Sequence, residues 1–273
     1  MRVWQGGLVA PFHVCLVQKA SGRDAAENRA ALDVVREIGS GRPRTDLVVF
    51  PEVFARDFGE AGSDVAAYAE ELDGPFVTRL AELARETDLT VVAGMFERSE
   101  DPQRPYNTLV AVGPHGLLAS YRKIHLYDSF GYRESDRLSA GPAGLADPVV
   151  LEVGAFRIGM LTCYDLRFPE LARVLVERGA EILVVPSAWV AGERKVEHWR
   201  TLVTARAIEN TVYVAAAGQP GPRYTGHSMI VAPHGDVLVE LDADSDEVAW
   251  SGVSRDLLDE VRSTNPSLAN RRM

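Results

Sequence analysis

The sequence of 273 residues is poor in cysteine and has no long apolar run. Its two cysteines, Cys15 and Cys163, provide no CxxC pair, no disulfide framework and no zinc-ligand cluster, which favours a reducing compartment. No stretch reaches about 18 consecutive apolar residues, and the start of the chain has no signal-peptide pattern. We therefore expect a cytoplasmic protein with no membrane span and no metal or other cofactor.

Positive charge is also scarce. The chain has 29 Lys and Arg residues against 39 Asp and Glu residues, a net charge of −10. This balance disfavours nucleic acid or an anionic membrane as the main partner. The hydrophobic content of 46% and charged content of 25% are ordinary for a globular protein that builds one large core. By elimination, a small molecule is the expected partner.

Apolar patterning alternates between strand and helix periods. We expect residues 1–11 to be an N-terminal extension and residues 12–273 to form a single domain. Helices are predicted at 24–38, 75–86, 198–209 and 256–261, with another after Pro169. Strands are predicted at 12–17, 46–50, 90–96, 107–112, 117–121, 156–161, 181–185, 212–217, 227–232, 237–241 and 248–253. Two similar halves, each with βα units and a Pro/Gly hairpin, indicate a mixed-sheet α/β domain of two packed sheets with helices outside.

The stretch 156–170, FRIGMLTCYDLRFPE, places a thiol at a strand-to-helix junction. The apolar strand pattern stops before Cys163, and Pro169 suits a first helical turn. Such a turn exposes the side chain, while backbone N–H groups and the positive end of a helix stabilise a thiolate and a developing oxyanion. From this stretch alone, Cys163 is either a nucleophile or a buried structural cysteine.

Three charged residues lie at comparable positions elsewhere. Glu52 follows a buried-type strand, and Lys123 follows the hairpin of strands that ends in RKIHLYD. Glu134 lies in a turn-rich stretch, 127–148, whose length is typical of functional loops. Taken singly, Glu52 is either functional or a capping surface glutamate, and Lys123 is either functional or a solvated lysine.

Together, these segments resemble the three signature blocks of the nitrilase superfamily of carbon–nitrogen hydrolases. The blocks are PE, RKIHLYD and LTCYDLRFPE, in the family's order, and Glu134 falls where the family's second glutamate usually lies. The resemblance continues through PSAW, EHW, RARAIEN and GHSMIVAPHG to the end of the chain. It implies a four-layer αββα sandwich and a homodimer or higher homo-oligomer.

The resemblance also implies thiol hydrolase chemistry on a carbon–nitrogen bond. Cys163 would attack an amide carbon to form a thioester, and Glu52 would act as general base and then as acid toward ammonia. Lys123 and the backbone N–H of Tyr164 would stabilise the oxyanion. Glu134 would orient Lys123 and keep it protonated. Three aromatic side chains near these positions either line the pocket or pack in the core: Phe54, Tyr164 and Trp189.

Within the superfamily, CYDLRFPE, RARAIE and GHSM are most similar to the branch of deaminated-glutathione amidases and ω-amidases. The segment VAGERKVE, residues 190–197, departs from that branch. We therefore expect an amidase for a small, anionic, linear carboxamide. N-carbamoyl hydrolysis and nitrile hydrolysis, which use the same catalytic residues, stay as alternatives. So does a non-catalytic relative that serves as a binding or regulatory subunit.

Overall fold

A computed structural model describes residues 11–60, 62–142 and 148–272. The strands in these residues are β1 Phe12–Gln18, β2 Leu47–Val49, β3 Thr90–Glu97, β4 Tyr106–Gly113, β5 Gly116–Arg122, β6 Asp128–Ser129, β7 Tyr132–Arg133, β8 Val150–Val153, β9 Phe156–Met160, β10 Ile182–Ser187, β11 Tyr213–Gly218, β12 Met229–Val231, β13 Val237–Glu240 and β14 Glu247–Val253. The α-helices are α1 Ala25–Ala31, α2 Val34–Ser40, α3 Pro75–Thr87, α4 Pro169–Glu177, α5 Lys195–Asn210 and α6 Arg255–Thr264. None of the described helices is long and apolar enough to cross a membrane. Residues 1–10 of the predicted extension and 143–147 of the predicted loop lie outside the described residues.

Two six-stranded sheets repeat one topology. The first has the order β14-β1-β2-β3-β4-β5 and the second β13-β12-β11-β10-β9-β8. The strands at the middle of each sheet run parallel, β1 to β3 in the first and β9 to β11 in the second, and the outer pairs are antiparallel. Because parallel strands of one sheet end at the same edge, the residues that follow β9 and β10 lie together at one edge of the second sheet. Glu52, which follows β2 of the first sheet, reaches this edge by accepting the backbone N–H of Ala188.

The side chains of β1 alternate between two cores. Val14 and Leu16 pack in the core between the two sheets, whereas Cys15 and Val17 pack in the core under α2 and α3. Successive side chains of a strand point to opposite faces, so a strand covered on both sides is apolar throughout. Helices α4 and α5 cover the second sheet in the same way. The protein is therefore a four-layer αββα sandwich, and the predicted fold is confirmed.

One predicted helix is wrong. The stretch 24–38 forms two short helices, because α1 ends at Ala31 and α2 begins at Val34. Between them, Asp33 donates its backbone N–H to the Ala30 carbonyl, three residues back instead of four, which tightens the turn. The apolar periodicity of the stretch continues through this break without Gly or Pro, so the sequence carries no local signal of it.

The helix predicted after Cys163 begins later than the thiol. Its first residue is Pro169, as the pattern indicated, but a short 3₁₀ helix, Cys163–Arg167, stands between β9 and α4. The positive end of α4 is therefore six residues along the chain from Cys163. The helical N-terminus next to the thiol in the chain is that of the 3₁₀ helix, whose first residue is Cys163 itself.

Candidate active site

The Cys163 thiol lies in the turn that follows β9, as the sequence predicted. Its backbone has a φ of +45°, in the left-handed region that residues other than glycine rarely adopt. The residue is 6% exposed, so the elbow brings its thiol to an enclosed space instead of open solvent. A strained residue of this kind needs a surrounding structure that holds it.

Asp165 supplies part of that support. Its buried carboxylate accepts hydrogen bonds from the Thr162 backbone N–H at 2.9 Å and from the Tyr121 hydroxyl at 2.8 Å. His125 also approaches it, with its backbone N–H at 3.2 Å and ring Nδ1 at 2.7 Å. Asp165 thus ties the turn of Cys163 to β5 and to the segment after it.

Lys123 lies between two glutamates. Its ammonium nitrogen is 2.9 Å from Glu52 Oε1 and 3.0 Å and 3.2 Å from the two oxygens of Glu134. All three side chains are at least 98% buried. Glu134 Oε2 also accepts the backbone N–H of Tyr127 at 2.5 Å. The cluster carries one positive and two negative charges, a net charge of −1.

Glu52 is held from both sheets. Its Oε2 atom accepts the backbone N–H of Ala188 at 2.7 Å, just past β10, and its own carbonyl accepts Gln219 Nε2 at 3.0 Å. Gly94 of β3 lies directly against this backbone: a Cβ there would collide with the nitrogen of Val53 and lie 3.0 Å from the Cα of Glu52. The glycine therefore permits the close approach that positions the carboxylate.

Burial dominates the ionisation of this cluster. It raises the pKa of Cys163 well above its usual range, and the adjacent Glu52 charge raises it further, while Lys123 opposes both. Burial would lower the pKa of Lys123, but the charges of Glu134 and Glu52 outweigh it and keep that pKa well above its usual value. Burial also raises the pKa of Glu134. The resting site therefore contains a neutral thiol beside a protonated lysine.

A cavity of about 380 Å³ opens over these residues. All four residues predicted to be catalytic line it: Glu52, Lys123, Glu134 and Cys163. Most of the remaining wall is aromatic, and two cations, Lys195 and Arg223, also line it. A cavity of this size, with a few polar groups in an apolar wall, is typical of a site for a small molecule.

The three predicted aromatic residues have different positions. Trp189 lines the cavity. Tyr164 lies outside the lining and packs edge-on against the cavity residue Tyr127, with ring centres 5.0 Å apart. Phe54 is fully buried in the core under α3, 4.8 Å from the ring of Phe50. Core packing, the alternative considered for Phe54, is therefore its role, since the side chain packs in this core and does not line the cavity.

Sequence reasoning missed three polar residues. Asn107, a polar residue in the otherwise apolar pattern of β4, donates its side-chain amide to Glu52 Oε1 at 2.7 Å and lies 3.4 Å from Glu134 Oε1. Lys195 belongs to residues 190–197, the segment interpreted as a departure from the amidase branch, and that interpretation is a signal that could have identified it. Arg223 lies in a turn with no such signal and is paired with Asp57 at 2.8 Å. Within the described ranges, no group of three His, Cys, Asp or Glu residues is placed to hold a metal ion.

The sequence pattern of the family described as carbon-nitrogen hydrolase matches residues 14–263. The chain belongs to this family. The carbon–nitrogen hydrolase is 40% identical over 227 residues to the deaminated glutathione amidase of Escherichia coli O157:H7, which covers 83% of this chain and 84% of that protein. It is 32% identical to the human omega-amidase, over 96% of this chain and 95% of that protein. A solved structure of a CN-hydrolase superfamily protein from Xanthomonas campestris superposes with a TM-score of 0.84 at 29% identity, covering 97% and 98% of the two chains. The protein is therefore a nitrilase-superfamily enzyme of the carbon–nitrogen hydrolase family.

Proposed function

We propose that this carbon–nitrogen hydrolase converts a small linear carboxamide to the acid and ammonia through a thioester on Cys163. The observation that carries the proposal is the presence of a thiol, a carboxylate and an ammonium group in one enclosed cavity. Cys163, Glu52 and Lys123 supply the nucleophile, the proton carrier and the oxyanion partner that amide cleavage needs.

Acylation begins with a neutral thiol, because the pKa of Cys163 is raised. The thiol proton passes to Glu52 as the sulfur attacks the amide carbon, and the carbonyl oxygen becomes an oxyanion. Glu52 then gives the proton to the amide nitrogen, the C–N bond breaks, and ammonia leaves. The acyl group stays on sulfur as a thioester.

Deacylation repeats the same proton movements with water in place of the thiol. Glu52 accepts a proton from water as its oxygen attacks the thioester carbon. The C–S bond then breaks, and Glu52 returns the proton to the sulfur, which regenerates the thiol and releases the acid. The hydrogen bonds to Glu52 from Ala188 and Asn107 keep its carboxylate in one orientation through both steps.

Lys123 has three N–H donors, and its two glutamate partners occupy two of them. The third is available to the oxyanion, which carries negative charge only in the tetrahedral states, so this contact favours the transition state over the ground state. Glu134 keeps Lys123 charged through its own negative charge. The backbone N–H of Tyr164 is the second oxyanion donor in this proposal.

The names of the relatives support an amide substrate. One relative is a deaminated glutathione amidase and another is an omega-amidase. Both names describe amide hydrolysis, and neither describes a nitrile or a carbamoyl compound. The proposal therefore places a terminal carboxamide at Cys163.

The test is ammonia release from a panel of amides, nitriles and N-carbamoyl compounds, combined with intact-mass spectrometry to detect an acyl adduct. We expect turnover of amides by the wild type and about a 10⁴-fold or greater loss in Cys163→Ala. Cys15→Ala is the matched control, because Cys15 packs in the core remote from the cavity and its removal should leave kcat unchanged. Full activity in Cys163→Ala would refute the thioester, and absence of turnover and adduct across the panel would favour a binding protein.

A further inference from the structure

Lys195 is a buried cation in the wall of the proposed active site. It is the first residue of α5, is 7% exposed, and lines the same cavity as Cys163. Its carbonyl accepts the indole N–H of Trp189 at 3.0 Å, and its backbone N–H donates to the Gly192 carbonyl at 3.2 Å. The backbone of Lys195 is therefore anchored, and its side chain extends to a fixed place in the cavity.

The ammonium group of Lys195 has neutral partners only. It donates to the Tyr127 hydroxyl at 3.0 Å and lies 3.7 Å from the ring centre of Phe130 and 5.9 Å from that of Trp189. No carboxylate in residues 11–60, 62–142 and 148–272 lies within 4.0 Å of it. Aromatic faces attract a cation but do not neutralise it, so a buried charge is left without a counter-ion.

The other two lysines of the chain differ in this respect. Lys19 is paired with Asp246 at 3.0 Å on the surface, and Lys123 is paired with two glutamates. The second cation of the cavity, Arg223, is paired with Asp57. Of the three cations that line the described cavity, Lys123 and Arg223 are paired with carboxylates and Lys195 is not. Lys195 can therefore offer its positive charge to a ligand.

The surrounding charges favour an anion at this position. Burial lowers the pKa of Lys195, and the nearby positive charge of Arg167 lowers it further, so an anion beside the ammonium group would stabilise its charged form. The Tyr127 hydroxyl accepts a hydrogen bond from Lys195 and keeps its own proton to donate. A carboxylate is the group that satisfies both donors.

We infer that Lys195, with the Tyr127 hydroxyl, binds a carboxylate of the substrate, so that the enzyme selects linear amides that carry a second, ionised acid group. This inference rests on the proposed function, since it assumes that the carboxamide of the same molecule lies at Cys163. The assignment makes Lys195 a specificity-determining residue at the start of α5.

The kinetic test compares glutaramate, which carries a carboxylate, with pentanamide, its neutral counterpart. We expect the ratio of kcat/KM for glutaramate over pentanamide to fall about 30-fold or more in Lys195→Met, mainly through KM. Lys195→Arg should recover at least a third of the decrease in the logarithm of this kcat/KM ratio. Tyr127→Phe should lower the ratio several-fold. Lys19→Met is the matched control and should leave the ratio unchanged. An unchanged ratio in Lys195→Met, or an equal loss for both substrates, would overturn the inference.

A binding measurement separates this inference from the proposed chemistry. Glutarate, which carries two carboxylates and no amide bond, is titrated into Cys163→Ala by calorimetry, with and without Lys195→Met. We expect the Kd to rise at least tenfold when Lys195 is replaced. If the wild type hydrolyses no amide but Lys195→Met still raises the Kd, the proposed reaction is refuted and the carboxylate site is supported. If amides are hydrolysed but the Kd is unchanged, only the carboxylate site is refuted.

Discussion

Asn107 donates its side-chain amide to Glu52 at 2.7 Å and lies 3.4 Å from Glu134, so one neutral residue contacts both carboxylates of the lysine cluster. The two glutamates would otherwise repel each other across Lys123. Asn107 also fixes the chain path, because its backbone carbonyl accepts the N–H of Lys123 at 2.8 Å. Glu52, the proposed proton carrier, and Lys123, the proposed oxyanion partner, are thus positioned by the same strand residue.

Replacement of Asn107 should impair catalysis more than folding. In Asn107→Leu, Glu52 loses a donor but keeps Lys123 and Ala188, so we expect kcat to fall about 10- to 100-fold from the loss of a hydrogen bond to a charged group. Steady-state ammonia release measures the effect. Thr108→Val is the control, because the neighbouring Thr108 bonds Glu97 outside the site and its loss should leave kcat close to wild type. Equal losses in the two variants would contradict a specific role for Asn107.

Gly94 should not tolerate a side chain. The methyl group of Gly94→Ala would collide with the backbone at Val53 and displace Glu52, so we expect lower kcat and a loss of about 1–3 kcal/mol in the free energy of unfolding. Activity assays and denaturant unfolding measure both effects. Gly252→Ala, also in a strand, provides the control, because its Cβ would lie 3.6 Å from the His13 ring, an ordinary contact. A fully active Gly94→Ala would show that the close approach at Glu52 is unimportant.

Replacement of Glu52 should lower the pKa of the Cys163 thiol and also reduce kcat. The negative charge of Glu52 disfavours the Cys163 thiolate and raises its pKa, so Glu52→Gln should lower that pKa while kcat falls about 10²- to 10⁴-fold. The rate of reaction with methyl methanethiosulfonate, followed against pH, reports the thiolate and should have its midpoint at lower pH in the variant. Burial raises the pKa of Cys15 to about 12, so Cys15→Ala in both proteins removes a background that titrates only at high pH. A midpoint that moves upward would contradict this charge assignment.

Removal of the Tyr121 hydroxyl should lower both stability and activity, because the hydroxyl donates to Asp165. Tyr121→Phe removes a hydrogen bond to the buried Asp165 carboxylate, and we expect a loss of about 1.5–3 kcal/mol in the free energy of unfolding together with reduced kcat. Denaturant unfolding and ammonia release measure the two effects. Tyr213→Phe is the control: it loses two bonds to the backbone of Ser254, a neutral partner, one donated to the carbonyl and one accepted from the N–H, and it should keep its kcat. If Tyr121→Phe loses stability and keeps full activity, Asp165 supports the fold and not the elbow of Cys163.

Much of the fold was predictable because the inner strands of both sheets are buried on two faces. Runs such as DLVVF at 46–50 are apolar throughout, and their ends locate Glu52 and Cys163 at strand termini without any three-dimensional information. The break between α1 and α2 was not predictable, since it arises from a backbone turn that leaves the apolar pattern intact. Self-association and location in the cytoplasm stay predictions.

By itself, the sequence determined the family, the four-layer architecture and the candidates for nucleophile, proton carrier and oxyanion partner, because these depend on the order of motifs and on strand periodicity. Only the tertiary structure decided which polar residues join them. Asn107 and Lys195 have sequence signals that do not specify a role, and their roles come from contacts with residues 55 and 68 positions away, Glu52 and Tyr127. It also assigned Phe54 to the core, because a residue two positions from Glu52 in a turn has a side-chain direction that depends on the backbone path. The carboxylate specificity is proposed because Lys195 has no carboxylate partner among the described residues. That property belongs to the folded cavity, and no single segment of the sequence shows it.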